Sequence, residues 1–369
     1  MALELLCACA LLAGTGTPSA PPKSEARALV VRADKLLLGD GTTIDQGALL
    51  IEDGRIRACG KDISVPSDAA TLTHAGWVSA GLIALHAYAG APEEMRDSTR
   101  PVLDGKLAWA FDPAHSDFAD ALASGITTLV LTPPASALSG GTSAVVKTAH
   151  ARVLSADAQL SLSFSPAALS INRFPTSFAS AVAELDQRFE KGEGAFGSAK
   201  SGDLPVLIEA DSREDVLRAT EFARRHKLRG AIYGADWIGE VADAVHEAKL
   251  AAIFGPFDVG EERRTIQSVL KIAKAGVPFG FGLDSPFKSP ETLRLSAALC
   301  LREGLERKLA WRALSSQAAE LAGVNERVGR LEKGLDADFV LWSGDPLDLK
   351  SRVEAVFVDG QRVYEAKKP

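Results

Sequence analysis

The sequence has few cysteines, no block of basic residues and no long apolar segment, and each shortage excludes a class of protein. The four cysteines, with Cys59 and Cys300 far apart, indicate neither a disulfide framework nor a zinc ribbon. A formal net charge of -7 without a Lys/Arg cluster argues against nucleic acid or an anionic membrane as the main partner. No run approaches the roughly 20 apolar residues of a membrane span. We therefore expect a small-molecule ligand, no nucleic acid and no membrane span.

Common nucleotide and hydrolase signatures are also missing from the sequence. It contains no P-loop, no G-x-S-x-G elbow and no H-E-x-x-H pair. Residues 192–197 formally read G-x-G-x-x-G, but they follow a charged helical run instead of a strand. The tight strand-to-helix turn that seats a pyrophosphate is therefore missing. We predict that residues 190–203 form a long surface loop that binds no nucleotide.

The first 25 residues differ in composition from the rest of the chain. An apolar run over residues 5–13 precedes a segment rich in Gly, Thr, Ser and Pro, as in a secretion signal followed by a linker. Glu4 stands where a cationic residue is expected, and a frayed tail or a misplaced start codon are the alternatives. We expect export to the periplasm or the extracellular space, or a cytoplasmic location if this segment is no signal.

The middle of the chain has the pattern of an α/β barrel. With 369 residues and 46% hydrophobic content, the chain can bury one large core and carry a smaller second domain. Strand-like and helix-like stretches alternate over residues 81–325, which predicts a parallel sheet with crossover helices. The eight candidate strands are residues 82–86, 127–132, 143–148, 159–164, 205–210, 228–234, 251–255 and 277–284. A span of roughly 245 residues fits a TIM-type (β/α)8 barrel.

Both ends of the chain have a different pattern, with short strands separated by turns. Asp53-Gly54 and Asp359-Gly360 are each flanked by apolar runs and predict two hairpins. We expect residues 26–80 and 326–369 to form one β-sandwich from both termini. Within the barrel, Ser212 predicts a helix start by a capping box, and Ser289 predicts another as the N-cap before a proline.

Residues 77–90 carry the most informative motif. Gly81 opens a short run of branched apolar residues that ends at His86, which is how a buried parallel strand presents one polar side chain at a barrel mouth. This stretch resembles the first barrel strand of the amidohydrolase superfamily, where a Pro-Gly-Leu-Ile-Asp run leads into a His-x-His metal pair. In this sequence Tyr88 replaces the second histidine.

The resemblance extends over residues 27–366 and is most similar to the imidazolonepropionase-like branch of that superfamily. Besides the His86 stretch, the similar segments are residues 53–56, 123–128, 141–148, 282–286, 322–338, 342–346, 356–360 and 363–364. The resemblance implies a barrel with its site at the carboxyl ends of the strands. It also implies metal-dependent hydrolysis of a C–N bond other than a linear peptide bond, in a small cyclic or amide-type molecule.

The family pattern implies a specific ligand set, which this sequence only partly has. The pattern places His-x-His on the first strand, in some members a lysine on the fourth, a histidine on the fifth and sixth, and an aspartate on the eighth. His86 matches the first position and Asp284 the last, where it would act as ligand and general base. Glu209 stands at the fifth-strand position and Tyr233 at the sixth. The fourth-strand stretch, residues 160–164, has no lysine.

The remaining set of one imidazole and several carboxylates leaves two interpretations open. His86, Glu209 and Asp284, with Asp211 nearby, could hold a weakly bound divalent metal such as Zn, Mn or Fe, and this oxygen-rich set favours Mg, Mn or Fe(II). Alternatively, Tyr88 and Tyr233 fill the vacated volume and donate hydrogen bonds to the carboxylates.

These interpretations lead to two functional hypotheses. The first is a metal-dependent hydrolase with Asp284 as its catalytic residue. The second is a non-catalytic protein of the same fold, which binds a small molecule or pairs with an active homologue as a hetero-oligomer; a homo-oligomer is compatible with either hypothesis. Chemistry based on Lys147 or Asp211 has no support beyond the presence of those residues.

Overall fold

A computed structural model describes residues 28–90, 100–234 and 236–367, so the predicted secretion signal and linker lie outside the described residues. The strands are β1 (Leu29–Leu37), β2 (Thr43–Glu52), β3 (Arg55–Gly60), β4 (Ala70–Ala80), β5 (Leu82–Ala87), β6 (Ile126–Leu131), β7 (Gly141–Thr142), β8 (Ala144–Lys147), β9 (Arg152–Ser155), β10 (Leu160–Ser163), β11 (Val206–Glu209), β12 (Gly230–Tyr233), β13 (Leu250–Phe254), β14 (Phe279–Phe281), β15 (Phe339–Trp342), β16 (Val353–Val358) and β17 (Gln361–Glu365). The α-helices are α1 (Asp117–Ala123), α2 (Phe178–Lys191), α3 (Gly194–Ser201), α4 (Arg213–His226), α5 (Ala242–Glu247), α6 (Arg263–Lys274), α7 (Thr292–Arg302), α8 (Arg307–Leu314) and α9 (Ser316–Leu321). None of these helices has the length and apolar composition needed to cross a membrane.

The two ends of the chain join in one seven-stranded sheet with the order β17-β16-β15-β4-β1-β2-β3. The two ends meet where β4 pairs antiparallel with β15, with Val78 opposite Leu341. The sequence did not indicate β4 as a strand, although residues 70–80 alternate between exposed and buried positions over most of their length. We call this element the terminal sheet.

The two predicted Asp-Gly hairpins are present and lie next to each other. Asp53 and Gly54 have φ of 51° and 74°, and Asp359 and Gly360 have φ of 50° and 72°, as a type I′ turn requires at its two central positions. Ala337 bridges the two turns, because its amide donates to Gly54 O at 2.8 Å and its carbonyl accepts from Gly360 N at 2.9 Å. The terminal sheet therefore curls until its two ends touch.

Between the chain ends, the strands form two further sheets, which together with their helices we call the α/β unit. A six-stranded sheet has the order β14-β13-β12-β11-β10-β7 and runs parallel from β10 to β14, and a four-stranded sheet has the order β5-β6-β8-β9. Leu283 N donates to His86 O at 2.8 Å and so brings the end of β5 beside the chain that follows β14. The carboxyl ends of β5 and of the parallel strands β10 to β14 consequently share one face, the strand-end face.

Three sequence-based predictions differ from the structure. Residues 143–148 contain β8, which runs antiparallel to β6 because the connection between them has no helix to return the chain to the other end of the sheet. Residues 190–203 are not a loop, since α3 forms there with Phe196 and Ala199 buried. The helix predicted to begin at Pro290, with Ser289 as its N-cap, begins two residues later at Thr292, with Glu291 as its N-cap.

Two buried side chains join the terminal sheet to the α/β unit. Trp342 on β15 is fully buried in the core cluster that also contains the barrel-strand residues Leu82 and Leu129. Lys147 on β8 is fully buried as well, and its ammonium contacts Asp336, Asp338 and Asp359 at 2.7, 3.0 and 2.6 Å. Lys147 therefore lies in an ion cluster at this junction and not among the polar residues of the strand-end face.

Candidate functional site

His86 and Asp284 face each other at the strand-end face. His86 lies in β5 and is fully buried, and Asp284 follows β14. Their side chains are joined by a hydrogen bond of 2.7 Å between His86 Nδ1 and Asp284 Oδ1. The amides of Leu283 and Asp284 both donate to His86 O, at 2.8 and 3.2 Å. Backbone and side-chain bonds thus fix the same pair of residues.

Asp284 holds an unusual backbone conformation at this point. Its φ is 53°, in the left-handed region that disfavours most residues with a Cβ but that Asp and Asn tolerate. Residues in such conformations often lie at functional sites, where the surrounding structure holds them in place. An Asp284→Asn variant can therefore remove the charge without adding backbone strain.

Tyr233 completes a three-residue hydrogen-bonded network with His86 and Asp284. Its ring stacks on the His86 ring, with 3.7 Å between centroids and an interplanar angle of 9°. Its hydroxyl lies 2.6 Å from Asp284 Oδ1 and 3.0 Å from Gly255 O. Burial, together with the negative charge of Asp284, raises the pKa of Tyr233 well above its ordinary value. The phenol is thus a neutral donor, and Asp284 Oδ1 lies within hydrogen-bonding distance of both Tyr233 and His86.

Space for this stacked pair depends on the absence of a side chain at Gly282. A Cβ at that position would lie 2.9 Å from Tyr233 Cε2 and 3.0 Å from His86 Cβ, closer than such contacts normally come. Tyr88 packs from another direction, with its ring edge-on to His86 at 4.9 Å between centroids. The volume around the imidazole is therefore filled by two tyrosine rings.

Glu209 and Asp211 lie at the end of the neighbouring strand β11. Asp211 Oδ2 accepts a hydrogen bond of 2.5 Å from Ser165 Oγ. The Glu209 carboxylate is largely buried and forms no hydrogen bond or salt bridge with another residue in the described part of the chain. Burial raises the pKa of Glu209 to about 7; His86 opposes this rise, and the charges of Asp211 and Asp284 add to it. Among the residues that the structure describes, Glu209 is therefore a carboxylate without a polar partner in a poorly solvated position.

We expect Glu209→Gln to stabilise the protein at neutral and alkaline pH. The pKa of Glu209 is raised from 4.5 to about 7 on folding, so the folded protein binds the proton of this residue more tightly than the unfolded chain does. The resulting contribution to the free energy of unfolding is complete below about pH 4.5 and is lost as the pH rises through 7. The full loss is up to about 3 kcal/mol. Urea denaturation of both proteins should therefore give similar free energies of unfolding near pH 4.5 and a higher value for the variant near pH 8.

A matched control for this prediction is Glu247→Gln, because Glu247 is an exposed residue of α5. Its free energy of unfolding should follow that of the parent protein at every pH. A difference between parent and Glu209→Gln that stays constant from acid to alkaline pH would contradict the assignment of a raised pKa to Glu209.

The residues of this site do not fit a metal ion. Across residues 28–90, 100–234 and 236–367, no group of three or more His, Cys, Asp and Glu side chains is arranged to hold one. Asp284 Oδ1 is already engaged by the imidazole and the phenol. Within the same residues, His86 Nε2 has no hydrogen-bond partner, but one imidazole nitrogen does not make a coordination site.

A cavity of about 260 Å³ opens beside the His86 network. Its lining residues are Glu209, Asp211, Tyr233, Gly234, Asp236, Phe254, Gly255, Pro256, Phe257, Glu261, Asp284 and Lys288. The structure therefore brings four residues singled out in the sequence, Glu209, Asp211, Tyr233 and Asp284, to one cavity wall. His86 and Tyr88 pack behind that wall.

Sequence reasoning missed three charged residues of the cavity. Asp236, Glu261 and Lys288 lie in the loops after β12, β13 and β14. Burial, with the nearby charge of Glu261, raises the pKa of Asp236. Their positions just beyond strand ends were a usable signal, since the loops at that end of parallel strands form the ligand sites of α/β proteins.

Comparison with known proteins gives matches to amidohydrolases. A model described as "Amidohydrolase family" matches residues 209–364. The chain is 31% identical to the imidazolonepropionase of Acidiphilium cryptum (strain JF-5) over 43% of this chain and 41% of that protein. It is 29% identical to "Amidohydrolase tasK" of Hapsidospora irregularis over 22% of this chain and 8% of that protein. The matched regions span less than half of the length of these curated relatives.

Solved structures match nearly the whole chain. The crystal structure of an amidohydrolase from Thermotoga maritima MSB8 has a TM-score of 0.83 and 22% identity and covers 92% of this chain and 100% of that chain. A. niger ochratoxinase has a TM-score of 0.55 and 16% identity and covers 93% and 96% of the two chains. These similarities imply a TIM-type barrel fold with mixed α/β content, and the strand-end face corresponds to the mouth of such a barrel. The chain is similar to members of the amidohydrolase family over residues 209–364 and to imidazolonepropionases over 43% of its length.

Proposed function

We propose that this protein binds a small molecule at the barrel mouth and does not hydrolyse it by metal-dependent chemistry. The observation that carries this proposal is the network of His86, Tyr233 and Asp284. Asp284 is the carboxylate that the family pattern would use as ligand and base, and here an imidazole and a phenol engage its Oδ1 atom. A stacked ring pair that is itself buried stabilises this arrangement.

The cavity beside the network supports a role in ligand binding. Its volume of about 260 Å³ suits a molecule of a few non-hydrogen atoms, and polar groups converge on it from several strand ends. Tyr233 is a neutral donor there, while Glu209 offers a carboxylate that lacks a partner within the described residues. Pairing with an active homologue, as a hetero-oligomer, remains a prediction from the sequence.

The second candidate is hydrolysis of a non-peptide C–N bond with a weakly bound divalent metal. Superfamily members are typically metal-dependent, and His86 Nε2 is a buried nitrogen with no hydrogen-bond partner in the described part of the protein. For this candidate, His86, Glu209 and Asp284 would have to move to form a coordination site that the structure lacks. The hydrogen bond between Tyr233 and Asp284 would have to break.

Metal analysis separates the two candidates. We expect inductively coupled plasma mass spectrometry of protein purified without chelators to show metal far below one ion per chain. We expect the same result after exposure to Mn, Fe or Zn salts, because fewer than three protein ligands rarely hold such ions firmly.

The control for this experiment is His246→Ala, since His246 is exposed on α5 and does not line the cavity. Near-stoichiometric metal that is lost in His86→Ala and in Glu209→Ala, but kept in His246→Ala, would support the hydrolase candidate. A hydrolysis rate that needs this metal and disappears in Asp284→Asn would establish it.

A further inference from the structure

The charges around the mouth cavity are strongly unbalanced. Five carboxylates line it, from Glu209, Asp211, Asp236, Glu261 and Asp284. Among the lining residues that the structure describes, Lys288 is the one cationic side chain, and its ammonium contacts the carboxylate of Asp258 outside the cavity. The cavity therefore has a negative electrostatic potential, which attracts cations and repels anions.

Glu209 is the residue of this cavity that a bound cation would contact. It lies on the cavity wall, is largely buried and has no hydrogen-bond or ion-pair partner among residues 28–90, 100–234 and 236–367. Charged groups in such positions are costly unless a counter-charge or a donor reaches them. An incoming group that donates hydrogen bonds and carries positive charge would satisfy Glu209, and Asp211 on the same strand end is close enough to influence its charge.

Part of the cavity wall is apolar. Phe254, Pro256 and Phe257 line it, and Pro256 is the most exposed of the three because both phenylalanines are almost fully buried. Pro256 can therefore contact a hydrocarbon group of a bound molecule. A bare metal ion would leave this wall without a contact, and the described residues offer it no set of three ligands. The cavity therefore suits an organic cation better than an inorganic one.

We propose that the mouth cavity binds a small organic cation, in which a primary ammonium group contacts Glu209 and an apolar body packs beside Pro256. This proposal rests on the proposed binding function and adds the chemical class of the ligand. Neutral molecules of the same shape would leave Glu209 unpaired, and carboxylates or phosphates would meet the five acidic side chains.

The test compares two probes of nearly equal shape, benzylammonium and benzyl alcohol, by isothermal titration calorimetry on chelator-treated protein at low ionic strength. We expect benzylammonium to bind at least about tenfold more tightly than the alcohol, since one close charge pair commonly contributes that much. Glu209→Gln should reduce the affinity for benzylammonium about tenfold or more and leave that for the alcohol nearly unchanged.

Two further variants keep this test decisive. Asp236→Asn removes the charge of a carboxylate at the cavity edge and should weaken benzylammonium binding two- to threefold, even if Glu209→Gln fails to fold. Glu247→Gln alters an exposed carboxylate of α5 that does not line the cavity and should change nothing. Circular dichroism identifies a variant that has lost its fold.

Several results would overturn the proposed ligand class. These are equal affinity for the amine and the alcohol, no measurable amine binding at millimolar concentration, or amine binding that is unchanged in both Glu209→Gln and Asp236→Asn. Failure of the proposed function gives a different result, namely stoichiometric uptake of Mn, Fe or Zn in the metal analysis. The two failures can therefore be told apart on one preparation.

Discussion

Replacing Lys147 with methionine is expected to lower the free energy of unfolding by about 3–5 kcal/mol, because it leaves buried carboxylates without their cation. The Lys147 ammonium contacts Asp336, Asp338 and Asp359, and the first two side chains are almost fully buried. Asp338 Oδ2 has no hydrogen-bond partner among the described residues even with the lysine in place. Urea denaturation of parent and variant, followed by circular dichroism, measures the loss.

The loss of stability in Lys147→Met should depend on pH, and the direction of this dependence follows from the protonation of the buried carboxylates. Burial raises the pKa of Asp338 to about 6, although Lys147 partly opposes this rise. Without the lysine, a proton can take the place of the missing positive charge only under acidic conditions. The destabilisation by Lys147→Met should therefore be smaller near pH 5 than near pH 8.

Arg152→Met is the matched control for this prediction. Arg152 contacts the same Asp359 at 2.6 Å, but half of its side chain is exposed to solvent. Exposed ion pairs contribute about 0–1 kcal/mol, so this variant should remain close to the parent protein in stability. If Lys147→Met and Arg152→Met lowered the free energy of unfolding equally, burial of the ion cluster would not determine how much it contributes to stability.

Trp342→Ala is expected to destabilise the protein by about 3–5 kcal/mol, the usual range for removing a buried tryptophan. The indole is fully buried, its Nε1 donates to Ser79 Oγ at 2.9 Å, and the Arg294 guanidinium lies 4.6 Å from the ring centroid. Its edge occupies the space that Gly125 leaves open, where a Cβ would lie 2.9 Å from Trp342 Cη2. Guanidinium chloride unfolding measures the effect.

The corresponding control is Trp109→Ala, since the Trp109 side chain is 85% exposed. Replacing it should change the free energy of unfolding by no more than about 0.5 kcal/mol. If Trp342→Ala were as mild as this control, the junction between the terminal sheet and the barrel would not depend on the indole.

The sequence predicts the positions of most strands but not the direction of every strand. Buried parallel strands have short, continuous apolar runs, and such runs located β5, β6 and β10 to β13 to within about two residues. A run of apolar residues looks the same in either direction, so β8 could not be recognised as antiparallel. The helix α3 was missed because the glycines at its start outweighed the spacing of Phe196 and Ala199.

The candidate site was predictable where a residue ends a strand and not where its partners lie in loops. His86, Glu209, Tyr233 and Asp284 each follow or end a barrel strand, and the structure brings these residues together. Asp284, which accepts a hydrogen bond from Tyr233, has a left-handed backbone conformation that residue type alone does not specify. The loop residues Asp236 and Glu261 were missed because loop conformation is weakly encoded in local sequence.

The pairing of β4 with β15 determines when this protein can complete its fold during synthesis. Ser79 on β4 and Trp342 on β15 are hydrogen-bonded although 263 residues separate them. Ribosomes add about 5–20 residues per second, so β4 waits roughly 15–50 s with one edge unpaired. An unpaired strand edge is a template for aggregation. The nascent chain should consequently depend on chaperones for the protection of β4 until β15 leaves the ribosome.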